Sequence, residues 1–281
     1  MGAFNLDNIY QDPSAARLTL GAELFREAGG YAQLVEPVHT RMNGRFYSLG
    51  IFSERYNRAF LRRNDLGDDG ALYESEGLRD GLGYLRPDAG NLATTRGMEK
   101  DNREFDPSFS DLRELINGIS PSNANRNGYI LDNVNIPVVV DVLAVYSLLK
   151  QYDRDTHNFY VYRDTDGNRE WSLLPYDLDL IWDRLDEPLW GVNYFSGHPF
   201  EGSSQYPTWA GTHWNRLHDA FADSPILRQM VLRRLRTLMD QILQPPGTPH
   251  DQRILEARVD AMVAKVAPEA QTDRARWGLR S

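Results

Sequence analysis

Two aspartates and an asparagine near the middle of the chain have the types and the spacing of a magnesium-dependent site. Asp153 precedes Asn158 by five residues, and Asp177 follows after two short apolar segments. Carboxylate and amide oxygens are hard ligands of the kind that Mg²⁺ prefers, and a carboxylate that does not bind the metal can accept a proton from a hydroxyl group. The arrangement is typical of phosphoryl transfer in protein kinases, where a loop aspartate orients the acceptor hydroxyl and the other two residues hold the metal.

The segments around these residues predict the structure that positions them. An almost entirely apolar stretch over residues 137–152 predicts a helix that is buried at the centre of a domain. Residues 159–163 and 170–175 predict the two strands of a hairpin. Because a hairpin folds the chain back on itself, we expect Asn158 and Asp177 to lie at the same end of it.

The remaining elements predict an α+β fold, since strands are concentrated early in the sequence and helices late. Asn43-Gly44 marks a first hairpin, and residues 64–107 predict long loops with a short strand near Leu72. Asp12-Pro13 and Gly29-Gly30 predict the start and the end of a first helix. Further helices are predicted over residues 108–119 and 224–243 and from residue 254 onwards.

Composition excludes several classes of function. The formal net charge of −9 argues against a nucleic-acid surface, which needs clustered basic charge. The absence of cysteine excludes disulfides and thiolate metal sites. The sequence has no apolar run of about 18 residues that would span a membrane and no signal peptide at its start. We expect neither a nucleic acid nor a membrane as a partner.

The central motif, D-R-D-T-H-N-F-Y-V-Y-R-D followed by W-S-L-L-P-Y-D-L-D, resembles the signature of the spore coat protein H (CotH) kinase family, an atypical group similar to the secretory-pathway kinases. The early segment F-N-L-D-N-I-Y-Q-D-P-S, the hairpin M-N-G-R-F-Y-S-L-G-I-F and the closing A-P-E-A-Q-T-D-R-A-R-W-G are also similar to that family, so the resemblance covers roughly residues 4–278. It implies an atypical protein-kinase-like fold with an early β-hairpin region and a largely helical C-terminal lobe. We expect a partial first lobe with long loops over residues 1–130 and the catalytic hairpin with its helical lobe over residues 131–281.

The resemblance also implies a role for each candidate site residue. Asp153 becomes the catalytic aspartate, Asn158 and Asp177 become the metal ligands, and Asp155 and Asp179 support the bound cofactor. The implied cofactors are ATP and Mg²⁺, with Mn²⁺ as an alternative metal. The implied partner is a protein substrate that presents a Ser or Thr hydroxyl group.

The phosphate anchor departs from the family pattern. The family begins with strands that carry an R-G-N-S-like motif and a lysine-rich strand, and this chain starts after them. None of its three lysines is predicted to lie on an early strand, so we expect an arginine such as Arg45, Arg62 or Arg63 to contact the phosphates, and Arg62 follows the F-L pair where the family has lysine. If an upstream segment is missing, the resemblance implies a location outside the cytoplasm or at a spore or cell surface.

Three alternatives follow from the same residues. Because the lysine-bearing strands are missing, we expect phosphotransfer to be weak or absent, and the first alternative is a pseudokinase or an interaction module without phosphotransfer. A hydrolase that uses Asp155 and Asp177 as an acid/base pair is a second alternative. Residues 164–170, with the pattern D-x-D-G-N-x-E, are similar to a calcium loop. Since Asp-Gly is common in hairpin turns, we predict that this segment is a turn only.

Overall fold

The computed structural model describes residues 3–10, 12, 14–75, 85, 98–102, 107–151, 154, 157–182 and 215–278. Its strands are β1 (Phe4–Asn8), β2 (Val35–Met42), β3 (Arg45–Glu54), β4 (Ala71–Ser75), β5 (Met98–Lys100), β6 (Phe159–Arg163) and β7 (Trp171–Pro175). Its helices are α1 (Arg17–Glu27), α2 (Arg58–Arg63), α3 (Ser110–Gly118), α4 (Arg126–Asn133), α5 (Ile136–Leu149), α6 (Arg216–Asp223), α7 (Pro225–Ile242) and α8 (Ile254–Trp277). The predicted α+β class is confirmed.

The first three strands form an antiparallel sheet in the order β1-β3-β2. At the turn between β2 and β3, Asn43 and Gly44 both have positive φ, at 52° and 78°. A two-residue hairpin turn requires this backbone conformation, so the predicted hairpin is confirmed. Leu49 and Ile51 of β3 are buried on the face where helix α8 packs.

The second sheet contains the hairpin that was predicted to carry the site. It is antiparallel, with the order β5-β4-β6-β7. Every residue of β7 is buried, as are the first four residues of β6, and helix α5 packs against β7. Helix α5 is largely buried, as its apolar sequence predicted, although Pro137 is exposed in its first turn. The helix ends at Leu149 because Lys150 adopts the left-handed conformation with φ 50°.

The first helix corrects one sequence prediction. It begins at Arg17 and not at Pro13. The two carboxylate oxygens of Asp12 accept the backbone N–H groups of Ser14 at 3.1 Å and Arg17 at 2.8 Å. Since Ala15 has φ 52°, these bonds close a non-helical turn ahead of the helix.

The region predicted as loops holds a second correction. Strand β4 lies at the predicted position, but β5 also forms there and carries Lys100. The Nζ of Lys100 donates to the carbonyl of Ser108 at 2.9 Å and lies 5.1 Å from the centre of the Tyr73 ring. This lysine is therefore on a strand, contrary to the prediction, and it is buried in a structural role.

The second sheet combines β4 and β5, which precede residue 130, with β6 and β7, which follow it. The predicted division of the chain at residue 130 stays a prediction.

Across the described residues, every helix is too short or too polar to cross a bilayer.

Candidate functional site

Asn158 and Asp177 lie next to each other along the backbone at the open end of the β6–β7 hairpin. Phe159 and Pro175 form the last pair of the ladder. Just beyond this pair, the backbone N–H of Tyr176 donates to the carbonyl of Asn158 at 3.0 Å. The predicted convergence of the two strand ends is thus present in the structure, while the role of each residue as a metal ligand stays a prediction.

Both residues sit in an unusual backbone conformation. The φ angle is 62° at Asn158 and 47° at Asp177, and Lys150 and Trp182, which flank the same stretch, have φ angles of 50° and 46°. Residues other than glycine rarely adopt positive φ, and each such position costs on the order of 1 kcal/mol. Asparagine and aspartate adopt this conformation more readily than most residues, and it also occurs away from this stretch, at Ala15 and Arg169, so it describes the local backbone and does not by itself identify a site.

The end of helix α5 supplies the contacts that fix this conformation. The hydroxyl of Tyr146 donates to the carbonyl of Asn158 at 3.4 Å. The side-chain amide of Gln151, which is fully buried, donates to the carbonyl of Asp177 at 2.8 Å. Because both backbone carbonyls accept hydrogen bonds from the end of helix α5 and the residues that follow it, the backbones of Asn158 and Asp177 are held close together.

The carboxyl group of Asp177 lies in an electrostatically unfavourable environment. The surrounding protein desolvates it, and this raises its pKa above the ordinary value; the nearby carboxylate of Asp7 raises the pKa further. A hydrogen bond with the side chain of Asp179 acts in the opposite direction. Asp177 nevertheless keeps an exposed surface, so a cation from solvent can reach it and would stabilise the ionised form.

Asp7 is a site residue that sequence reasoning missed. It lies on β1 opposite Ile51 of β3, and its Oδ2 accepts a hydrogen bond from the hydroxyl of Ser53 at 2.7 Å. The pairing of β1 with β3 places Asp7 and Ser53 on the same face of the sheet. Inferring this placement from sequence depends on recognising β1, which the sequence analysis did not predict.

The other predicted acidic residues are only partly described. Asp153 and Asp155 lie outside the described residues. Arg154, between them, is buried, and its Nη1 donates to the carbonyl of Gln151 at 2.7 Å. The backbone carbonyl of Asp179 accepts a 3.5 Å hydrogen bond from Nη1 of Arg17 in helix α1.

A cavity of about 610 Å³ lies beside helix α2, strand β4 and the residues after β5, and Asp101 is one of its lining residues. Arg55, Arg58 and Arg62 line it. Tyr56 also lines it, and its hydroxyl donates to the carbonyl of Pro175, two residues before Asp177. A wall of the cavity is therefore bonded directly to the end of the strand that carries the predicted metal ligand.

The three arginines that were candidates for the phosphate anchor have different surroundings. Arg62 lines the cavity, but its Nε donates to Asp68 at 2.6 Å. Arg63 pairs with Glu54, with Nη2 at 2.6 Å from the carboxylate. Arg45 is the first residue of β3, beside the hairpin turn. Of the three, Arg62 is the one that lines the cavity, and its contact with phosphate stays a prediction.

The donor set fits a magnesium ion that is completed by other ligands. In the described part of the chain, no group of three or more histidine, aspartate or glutamate side chains forms a ready metal site. Mg²⁺ usually keeps several waters and binds proteins through one or two carboxylates together with substrate phosphates. One carboxylate from Asp177 and the amide oxygen of Asn158 are consistent with that mode of binding.

Comparison with known proteins places the chain in a family. No curated protein matches it. One solved structure that resembles it is that of a Helicobacter pylori proinflammatory kinase, CtkA, which is 10% identical in sequence, with 97% of this chain and 90% of that chain covered and a TM-score of 0.35. The family model described as CotH kinase protein matches residues 1–281. Because that match extends over the whole sequence, the chain belongs to the CotH kinase family.

Proposed function

We propose that the chain is a protein kinase that transfers the γ-phosphoryl group of ATP, with Mg²⁺, to a Ser or Thr hydroxyl group of a protein. Membership of the CotH kinase family supports the general class. The observation that carries the finer proposal is the convergence of Asn158 and Asp177 at one end of the β6–β7 hairpin. Two oxygen-bearing residues with fixed backbones, linked through Tyr56 to a cavity that arginines line, are consistent with what phosphoryl transfer requires.

In this proposal Asp177 is the principal metal ligand and Asn158 is the second. Mg²⁺, or Mn²⁺ in its place, would neutralise part of the triphosphate charge and orient the phosphates. Asp177 is suited to this role because its environment disfavours an ionised carboxylate without a nearby cation. Asp179, hydrogen-bonded to Asp177, supports the orientation of the ligand carboxylate.

Asp153 is assigned the role of orienting the acceptor hydroxyl and accepting its proton. It belongs to the short segment between Gln151 and Asn158, both of which are fixed against the site by hydrogen bonds. A free carboxylate next to the metal ligands is what general-base assistance needs. Asp155, in the same segment, is assigned a supporting role at the cofactor.

The nucleotide is assigned to the cavity of about 610 Å³, which lies in the size range of small-molecule sites. Arg62 is the proposed phosphate contact. Its ion pair with Asp68 is at the surface, where such pairs contribute little stability and exchange easily. Arg55 lines the same cavity and, among the described residues, makes no ion pair, so it is a second candidate for the same contact.

The alternative function is a pseudokinase that binds nucleotide without transferring phosphate. The observation that favours it is the placement of the lysines. Lys100 is buried against Tyr73 and Ser108, Lys150 follows the end of helix α5, and Lys265 lies on α8 beside Glu36. Losing one preorganised positive contact in a transition state typically reduces a rate by about 10²–10³-fold.

Transfer of radiolabelled γ-phosphate from ATP to a mixture of Ser/Thr peptides, with Mg²⁺ in excess, tests the proposal. We expect Asp153→Asn and Asp177→Asn each to reduce transfer by at least about 10²-fold, and Asp166→Asn, in the exposed hairpin turn, to leave it unchanged. Binding of ATP without transfer by the unmodified chain would support the pseudokinase. Absence of both binding and transfer would refute both functions.

A further inference from the structure

A second cavity, of about 460 Å³, lies between the residues after β1, strand β3 and the end of helix α8. Its lining combines three aromatic side chains, Tyr10, Tyr47 and Trp277, with the carboxylate of Asp273. None of these residues belongs to the proposed phosphoryl-transfer site. The combination of aromatic rings and one carboxylate is the chemistry that recognises organic cations.

Asp273 is the residue that points to a ligand. It is only 2% exposed, and its Oδ1 accepts the backbone N–H of Leu49 at 2.8 Å. Among the described residues, its Oδ2 has no hydrogen-bond partner and the carboxylate makes no ion pair. Since the residue is almost fully buried while Oδ2 has no donor from the described residues, this oxygen is left to accept hydrogen bonds from water or from a bound cation. Asp273 also lies near the C-terminal end of α8, where the helix dipole disfavours negative charge.

The aromatic side chains are arranged to surround a cation. Tyr47 and Trp277 meet edge to face, with ring centres 5.4 Å apart. The guanidinium carbon of Arg276 already lies 5.3 Å from the Tyr47 ring centre and 5.0 Å from the Trp277 ring centre. Tyr10, Tyr47 and Trp277 remain 52%, 37% and 47% exposed. Their open surfaces are therefore accessible to a second, external cation.

A purely structural role explains part of this arrangement. The indole N–H of Trp277 donates to the carbonyl of Tyr47 at 3.1 Å, and Arg276 donates to the carbonyl of Phe46. With the bond from Leu49 to Asp273, these contacts fasten the end of α8 to the backbone of β3. An asparagine would serve as well as Asp273 for that purpose. These hydrogen bonds between α8 and β3 do not explain the negative charge of Asp273 or the exposure of the aromatic rings.

We propose that this cavity binds an alkylammonium or alkylguanidinium ion of the size found in lysine and arginine side chains. The charged head lies against Oδ2 of Asp273, and the alkyl stem lies along Tyr10, Tyr47 and Trp277. The cavity is large enough for such a group, since ligand sites typically have volumes of about 300–1,000 Å³. Hydrogen bonding to a carboxylate supplies the preference for charge, and the rings supply the contact area.

Titration of the ¹⁵N-labelled chain with n-butylguanidinium chloride tests the proposal. The readout is the indole N–H resonance of Trp277, which is assigned by its loss in Trp277→Phe. We expect a saturable shift with a dissociation constant of about 1–10 mM and no shift with n-butylurea, the neutral analogue. Asp273→Asn keeps an acceptor for Leu49 and should weaken binding by at least about tenfold, whereas Asp251→Asn, at an exposed carboxylate, should not change it.

A thermal melt checks the fold of each variant. If Asp273→Asn does not fold, Tyr10→Leu replaces it, and a severalfold weaker binding is expected because Tyr10 is a half-exposed wall of the cavity. A Gly-Arg-Gly peptide is compared with n-butylguanidinium. Tighter binding of the peptide indicates an arginine side chain of a protein, and tighter binding of n-butylguanidinium indicates a free small molecule. Equal shifts with n-butylurea, unchanged binding in the folded Asp273→Asn variant, or no saturable shift would each overturn the proposal.

Discussion

Replacing Asp177 with asparagine should make the metal-free protein more stable at neutral pH. Burial and the carboxylate of Asp7 raise the pKa of Asp177. A carboxyl group whose pKa is higher in the folded than in the unfolded state favours folding only at low pH, where it is protonated in both states. As pH rises through its folded-state pKa, the ionised group destabilises the folded protein, so removing the charge at pH 7 is favourable.

The size of the effect is limited by the exposure of Asp177. Removing an unfavourable functional charge commonly stabilises a protein by about 0.5–2 kcal/mol, and screening by solvent at a partly exposed group favours the lower half of that range. For a chain of this length, 1 kcal/mol changes the melting temperature by about 2–4 °C. We therefore expect Asp177→Asn to melt about 1–4 °C higher than the unmodified chain at pH 7 in EDTA, and the difference to vanish well below pH 4.

Two controls separate charge from backbone conformation. Asparagine and aspartate both adopt positive φ, and Asp177 has φ 47°, so the controls must show that the gain does not come from the backbone at residue 177. Asp7→Asn removes the like-charge repulsion without changing residue 177, and it keeps an acceptor for the hydroxyl of Ser53. Asp166→Asn, in the exposed turn, removes one negative charge elsewhere and should leave the melting temperature unchanged.

The same measurement with Mg²⁺ and ATP tests the assigned role of Asp177. A ligand at 100 times its dissociation constant stabilises the folded state by about 2.7 kcal/mol, so the unmodified chain should gain several degrees and Asp177→Asn should gain much less. A lower melting temperature for Asp177→Asn in EDTA at pH 7 would refute the electrostatic reasoning. Equal stabilisation of both proteins by Mg²⁺ and ATP would refute the metal assignment.

Three further predictions concern the rest of the molecule. Calcium should not raise the melting temperature, because residues 164–168 are expected to form a turn only, and a rise of several degrees would contradict this. Leu143→Ala, in the buried helix α5, should lower the unfolding free energy in urea by about 2–5 kcal/mol, whereas Leu131→Ala, at a position 52% exposed, should change it by less than about 0.5 kcal/mol. Arg258→Met should remove the ion pairs between α8 and α1 and lower the unfolding free energy by about 1 kcal/mol or less. If this loss of stability is not smaller in high salt, Arg258 stabilises the protein through packing and not through charge.

The features that were predicted from sequence are those encoded in local patterns. The β2–β3 turn was identified because Asn43-Gly44 has one dominant use, and helix α5 because an apolar stretch of that length must be buried. The β6–β7 hairpin follows from two short apolar segments around a turn. Each of these signals lies within about twenty residues of sequence, so no knowledge of distant contacts was needed.

The features that were missed depend on pairing between distant segments. Strand β1 is five residues long with mostly exposed side chains, and its partner β3 lies about forty residues further along the chain. Nothing within β1 itself indicates that Asp7 will face Asp177. The start of α1 was wrong for a different, local reason, since the side chain of Asp12 hydrogen-bonds backbone groups within five residues that the sequence pattern assigned to the helix.

The arginine that contacts the phosphates also could not be identified from sequence position alone. Sequence position favoured Arg62 over its neighbours, but availability for a phosphate depends on which carboxylate each arginine meets. Arg62 meets Asp68, while Arg55 lines the same cavity and makes no ion pair among the described residues. Since charge-assisted pairs compete directly with phosphate for the guanidinium, the anchor is decided by these tertiary pairings. The two candidates can be compared by measuring the ATP affinity of Arg55→Gln and of Arg62→Gln at the same Mg²⁺ concentration. The variant that loses more affinity identifies the residue that contacts the phosphates.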